Sequence, residues 1–151
     1  MAFPLPEPMR IALDAARLSA AAHEVPVGAV VMRGGDLIAT SGNAMRNAHD
    51  PTAHAEMVVL REAGRVLGTS RLDECDLWVT LEPCAMCAGA ITLARIARLY
   101  FAAPDPKGGA VLHGPRLFGQ PSCHHAPEVY AGIGEEQAAA LLREFFRERR
   151  A

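Results

Sequence analysis

The chain has 151 residues, half of them hydrophobic, and a formal net charge of −2. That length suits one domain with a real core and is too short for two. The composition excludes a disordered chain, and the charge excludes a protein that binds polyanions with its whole surface. No apolar run is long enough to span a bilayer, and the opening Met1–Pro8 lacks the basic and apolar regions of a signal peptide. The expectation is a single cytoplasmic domain over residues 1–151 with no membrane partner.

The elements follow in chain order. An amphipathic helix is predicted over 9–23, with Met9, Leu13, Ala16 and Ala20 on one stripe and Arg10, Asp14 and Arg17 off it. The prolines at 4, 6 and 8 predict an extended lead-in. Val25–Met32 is apolar throughout, as a strand covered on both faces is, and Gly28 offers a place where backbone approaches a ligand closely. Arg33-Gly34-Gly35-Asp36 predicts a hairpin turn with positive φ open to both glycines. Leu37–Thr40 is the returning strand, with Ser41-Gly42-Asn43 leaving its end. Asp50-Pro51-Thr52 opens a second helix with Thr52 as N-cap, His54 in its first turn and Gly68 ending it.

Asp76–Leu81 is a third strand, which runs directly into a helix that continues to about Ala94, and Arg98–Ala102 is a fourth. The alternation of strands and helices predicts parallel pairing and a sheet between helices, with ligands beyond the carboxyl ends of the strands. Residues 103–127 are rich in glycine and proline, and a long irregular segment of this kind is functional or mobile. A short strand over 129–133 and a helix over 135–150 close the chain.

Chemistry concentrates in Pro83-Cys84-Ala85-Met86-Cys87. Two thiols three apart at a strand-to-helix junction present both sulfurs on one face of the first helical turn. The helix N-terminus there favours thiolate. The chain has four cysteines, too few for a disulfide scaffold, and in a reducing compartment paired cysteines point to metal. Two thiolates cannot close a tetrahedral zinc shell, so a third ligand comes from elsewhere. His54 is the best candidate, because Glu56 two residues on is a carboxylate that need not touch the metal. Residues two apart on a regular helix point nearly opposite ways, so His54 and Glu56 share a pocket only at an irregular helix end.

One imidazole and two thiolates leave a fourth zinc position open, the mark of a catalytic site. Water there falls from a pKa of 15.7 to about 7 and can attack an electron-poor amidine carbon, with Glu56 shuttling the protons. His-x-Glu followed by Pro-Cys-x-x-Cys is the signature of zinc nucleobase deaminases.

Wider similarity surrounds that signature. Glu24–Val30, Asn43, Asp50–Glu56, Val79–Ala90, Asp105–Ala110 and Phe145-Phe146-Arg147 resemble, in order and spacing, the TadA family of bacterial tRNA-specific adenosine deaminases, within the zinc-dependent cytidine/deoxycytidylate deaminase-like superfamily. The Val-Thr-Leu-Glu-Pro-Cys run, the Asp-x-Lys-x-Gly loop and the Phe-Phe-Arg ending are the parts that point to tRNA. The resemblance implies an α/β fold, a three-layer α/β/α sandwich around a mixed five-stranded sheet, cytidine deaminase-like. It implies conversion of the wobble adenosine of an arginine tRNA anticodon to inosine by attack at C6, with one Zn2+ per subunit.

It further implies a homodimer in which both subunits frame each active site, and the tRNA anticodon stem-loop as partner. Carried over by position, His54, Cys84 and Cys87 bind zinc and Glu56 is catalytic. Asn43, Ala55, Asp105, Lys107, Phe146, Arg149 and Arg150 fall at the substrate, with Asn43 on the base, Asp105 on a ribose and the basic residues on phosphates. One stretch departs from the family: Cys123-His124-His125-Ala126-Pro127 replaces an Asn-His-Arg run.

Alternatives stay open at this level. The same zinc chemistry serves deaminases of a free base or nucleoside of the guanine, cytosine or adenine type. A non-enzymatic zinc module would draw a fourth ligand from Cys75, Cys123, His124 or His125, leaving Glu56 and Pro83 unexplained. Cys123-His124-His125 is also a candidate second metal site. Asn43 is either a base contact or a turn asparagine. Phe145 and Phe146 either stack on bases or pack in the core.

Overall fold

The computed structural model of the chain describes residues 4–150, the last by its backbone alone. Residues 1–3 of the Met1–Pro8 opening lie outside it, as does the Arg150 side chain. The elements are α1 (Glu7–Ala21), β1 (Gly28–Arg33), β2 (Asp36–Gly42), α2 (Ala55–Leu67), β3 (Cys75–Leu81), α3 (Ala85–Ala94), β4 (Arg98–Ala103), β5 (Glu128–Ala131) and α4 (Glu135–Arg150), with a short 3-10 turn at Leu117–Gly119. The sheet order is β2-β1-β3-β4-β5.

β1 is antiparallel to both β2 and β3, whereas β3, β4 and β5 run parallel. The sheet is therefore mixed, as the resemblance implied. The predicted β1–β2 hairpin is present, whereas the parallel pairing expected of the strands and helices that follow misplaces one junction. The β2-α2-β3 unit does join two parallel strands, but it vaults over β1, which sits between them. The β4–β5 connection is parallel as well, carried by the irregular segment in place of a helix.

Alternation along the strands sorts side chains to two faces. Ala29, Val31, Leu77, Val79, Leu99 and Phe101 pack with Val59, Leu60 and Ile91 on the α2/α3 side. Val30, Trp78 and Ala102 pack with Met9, Leu13 and Ala138 on the α1/α4 side. Trp78, Tyr100 and Tyr130 stand level across β3, β4 and β5 and stack, with ring centroids 3.8 and 4.9 Å apart. Each such pair contributes about 0.5–1.5 kcal/mol beyond burial.

Local chemistry shifts several boundaries. α1 begins at Glu7, because Pro8 fits the first helical turn, where its missing N–H is no loss. Of the two turn glycines only Gly34 takes positive φ, at 61°. Gly28 does allow a close approach, but to α1 and not to a ligand: a Cβ there would lie 1.9 Å from the Ala12 carbonyl oxygen. Thr52 is not the N-cap of α2. Asp50 Oδ1 accepts from both the N–H and the hydroxyl of Thr52 at 2.9 and 2.7 Å, closing an Asx turn. The chain turns at Pro51 and Thr52, and the N-cap is His54, with extended backbone at φ −67° and ψ 153°.

Among the described residues no helix is long and apolar enough to cross a membrane. The N-terminus of β1 and the C-termini of β2, β3 and β4 all meet at one end of the sheet. The starts of α2 and α3 follow at that same end, and the candidate site lies there.

Candidate active site

His54 and Cys84 are the N-caps of α2 and α3, both with extended backbone, and Cys87 lies in the first turn of α3. The extended conformation at His54 resolves the spacing problem. His54 is not helical while Glu56 is, so the two side chains turn to one pocket although only two residues separate them. His54 Nδ1 lies 3.6 Å from Cys84 Sγ and 3.5 Å from Cys87 Sγ. Zinc bonds of about 2.3 Å to sulfur and about 2.0–2.1 Å to nitrogen at a tetrahedral angle set a nitrogen–sulfur separation of about 3.6 Å. The donor set and its spacing therefore fit zinc. Among the described residues these three form the one such group, and no fourth His, Cys, Asp or Glu joins it.

The electrostatics agree. The Cys84 thiol is pushed down to about 5, first by the hydrogen bond from the Cys87 side chain, against the upward push of burial. The N–H groups of Cys87 and Met86 add to this, although the sulfur closes no full capping hydrogen bond. Cys87, as the donor of the pair and more deeply buried, is pushed up. A cation in place of the shared proton holds both as thiolates. Glu56 is 4% exposed, and burial pushes its carboxyl up to about 7, with the nearby Cys84 charge helping and its own N–H and His54 opposing.

These groups open onto a pocket of about 270 Å³ whose lining includes Val27, Asn43, His54, Glu56, Cys84, Asp105 and Gly108. It is at the small end for ligand sites. Asn43 is buried, and its Oδ1 accepts from the Ala55 N–H at 2.7 Å, which caps the start of α2 and leaves the amide nitrogen for the pocket. Ala55 has its side chain fully buried in the core, its N–H on Asn43 and its carbonyl accepting from Ser41 Oγ at 3.0 Å.

Asp105 Oδ1 accepts from the N–H groups of Lys107 and Gly108. Lys107 is exposed beside it. Phe146, 45% exposed, and Arg149 belong to α4 and do not line the zinc pocket. Phe145 is the core member of the aromatic pair, meeting Phe146 edge-on at 5.3 Å, and the Arg149 guanidinium sits 3.4 Å above its ring. Arg149 instead lines a larger hollow of about 680 Å³ with His23, Arg46 and Asn47.

Cys123, His124 and His125 do not form a second metal group. The Cys123 thiol donates to the His125 carbonyl at 3.1 Å, and His125 Nε2 pairs with the Ile96 carbonyl at 2.7 Å. Cys75 is a buried thiol at the start of β3.

Two buried carboxylates escaped the sequence. Glu24 accepts from the N–H groups of Arg46 and Asn47 and from the Asn47 amide, at 2.6–3.1 Å. Glu82 accepts from the N–H groups of Asp105, Val111, Leu112 and His113 at 2.9–3.2 Å and pairs with His113 Nδ1 at 2.8 Å. Burial pushes both upward, and these hydrogen bonds outweigh it and hold both below the usual carboxylate range. The signal was available: each glutamate directly adjoins an apolar run, where an unpaired charge is too costly to keep.

The two-helix-start metal triad with an unligated carboxylate defines a zinc-dependent deaminase. Residues 6–103 match the cytidine and deoxycytidylate deaminase zinc-binding region. Within that class the chain belongs to the tRNA-specific adenosine deaminase family. It is 56% identical to the tRNA-specific adenosine deaminase of Agrobacterium fabrum across 94% of this chain and 93% of that one. With the Bacillus subtilis protein of the same description it shares 42% identity across 94% and 88%.

A solved structure from a study of A-to-I editing by tRNA:A34 deaminases superposes with a TM-score of 0.88 and 55% identity, covering 89% of this chain and 98% of that one. A guanine deaminase from Nitrosomonas europaea shares the fold with a TM-score of 0.75 at 27% identity, covering 96% and 86%. The protein is thus a hydrolytic deaminase whose cofactor is zinc.

Proposed function

We propose that the chain acts as one deaminase domain that converts the wobble adenosine of a tRNA anticodon to inosine. The observation that carries this reading is 56% identity over nearly the full length of a tRNA-specific adenosine deaminase, joined to a metal triad with the acid–base carboxylate beside it. When bound by His54, Cys84 and Cys87, zinc supplies a water acidified towards neutrality.

Glu56 carries the protons. Its carboxylate accepts one from the attacking water and delivers it to the ring nitrogen next to C6. It then takes the remaining proton from the oxygen newly attached at C6 and gives it to the amino group, which leaves as ammonia as that oxygen becomes the carbonyl. A carboxylate suits this shuttle because it can accept and give a proton within one catalytic cycle. The Asn43 amide faces the same pocket and orients the base, and Asp105 at its mouth takes the ribose. Anticodon-loop bases are splayed at low unstacking cost, which lets a pocket of this size admit one base. Lys107, Arg149 and Arg150 meet phosphates, and Phe146 offers an exposed ring for stacking.

The functional unit in this reading is a homodimer. α3 carries no charged residue, and Ala85 and Leu93 are exposed on its outer side, Leu93 at 71%. A helix apolar all round is covered in its working state, and sedimentation of the purified protein tests this. A tRNA substrate and thiol ligands that need a reducing compartment support a cytoplasmic location.

The guanine deaminases of the same fold keep a second reading in view, hydrolysis of a free base. One assay separates the two: inosine formation in an anticodon stem-loop set against ammonia release from free adenosine, guanine and cytosine. Turnover of the stem-loop supports the tRNA reading, and turnover of a free base alone overturns it.

A further inference from the structure

We infer that Glu82 is a positioning residue that locks the substrate-facing loop 105–113 onto the metal-bearing end of β3. The inference rests on the tRNA reading, in which Asp105 contacts the substrate. The Glu82 side chain is fully buried. A carboxylate offers about four lone-pair sites, and five donors converge on this one, four backbone N–H groups and an imidazole. Glu82 borders the catalytic pocket, but with its side chain fully buried and its oxygens taken it has none to offer a metal or base and acts through what it holds.

What it holds faces the reaction. Asp105 donates its N–H to Glu82 Oε1 at 3.0 Å, and Asp105 and Gly108 line the same pocket as His54, Glu56 and Cys84. On the other side only Pro83, fixed in φ, separates Glu82 from the ligand Cys84. The Pro83 carbonyl accepts from the Ala110 N–H at 2.9 Å, and the Glu82 N–H donates to Ala103, the last residue of β4, at 2.8 Å. Loop and ligand are thus tied to one short stretch of backbone. Gly109 completes the fit, since a Cβ there would lie 2.5 Å from the Glu82 carboxyl carbon. The loop closes on the carboxylate only because that position carries no side chain.

The pairing explains how a loop without helix or strand keeps a fixed place beside the zinc. A glutamine at 82 would turn an NH2 against N–H donors and release one side of the loop. Positioning predicts a split in the kinetics. With the stem-loop as substrate, Glu82→Gln raises KM about tenfold and His113→Ala about threefold, the scale of losing charge-assisted hydrogen bonds. In both, kcat stays within about twofold and zinc content is unchanged.

His113→Gln, whose amide can again donate to the carboxylate, restores KM. A scaffold role alone would instead lower zinc content and the active fraction, reducing kcat at unchanged KM. That result, or an unchanged KM in Glu82→Gln and His113→Ala, overturns the proposal. His113 is partly exposed, so its variants report even where Glu82→Gln does not fold. Wild-type turnover of the stem-loop is measured alongside, so a wrong substrate shows as absent wild-type activity and a wrong role for Glu82 as an unmoved ratio.

Discussion

The floor of the pocket and its walls are held in place by different means. On the floor, His54 and Cys84 occupy N-cap positions of helices anchored to the sheet, and Glu56 and Cys87 follow within one turn. Their geometry is local: a few consecutive residues, extended then helical, set all four side chains. The walls are the loops 43–54 and 104–116, which have no helix or strand of their own. Each is folded around one buried glutamate supplied from a distance, Glu24 for the first and Glu82 for the second. Chemistry is thus assigned to backbone that cannot drift, and recognition to backbone held by replaceable hydrogen bonds.

Perturbing the floor breaks that division most severely. Cys87→Ala removes one of the three ligands, and the expected result is loss of zinc and of all measurable deamination. Chelation of the wild type gives the same loss, reversed on adding zinc, whereas the variant does not recover. Zinc content by atomic absorption beside the stem-loop assay checks both, and activity surviving without metal would remove the basis of the comparison.

Glu56→Gln separates chemistry from metal binding on the same floor. The glutamine keeps shape but cannot carry a proton, so kcat falls by about 10²–10⁴-fold with zinc content and KM near those of the wild type. Retained turnover would mean that a different group moves the proton.

These floor residues were legible in the sequence because their spacing is short. Pro-Cys-x-x-Cys and His-x-Glu each lie within one turn of chain, and the mostly apolar run over 76–81 marked β3 as a strand. The walls were not legible. Glu82 meets Val111, Leu112 and His113 about thirty residues away, and no local periodicity encodes that closure. The placement of β1 between β2 and β3 is likewise set by pairing partners, since the order of elements is compatible with parallel neighbours. The Thr52 cap failed for a local reason: Asp50 took the hydroxyl first.

The first wall can be loosened through pH. Glu24 is held below its ordinary value of 4.5 by the N–H groups of Arg46 and Asn47 and the Asn47 amide, which outweigh the cost of burial. A depressed folded-state value contributes stability that is present above about pH 4.5 and lost as pH falls through the lower folded value. Glu24→Gln removes that contribution, on the order of 1 kcal/mol. The variant therefore melts below the wild type at pH 7, and the gap closes as acidification carries Glu24 through its folded-state value, which lies below 4.5. A gap that does not change with pH would show that the carboxylate charge is not what holds the 44–47 loop.

The second wall carries Lys107, the only lysine of the chain, exposed on the loop that Glu82 holds. If it meets a phosphate of the anticodon loop, Lys107→Ala weakens stem-loop binding and leaves zinc content and kcat unchanged. The slope of log Kd against log salt concentration then falls by about 0.7–0.9, the share of one phosphate contact. An unchanged slope makes Lys107 a solvated charge and restricts recognition on this wall to Asp105. A changed slope places a phosphate within reach of the loop, a contact that, like that of Asp105, depends on where Glu82 sets the backbone and not on the metal.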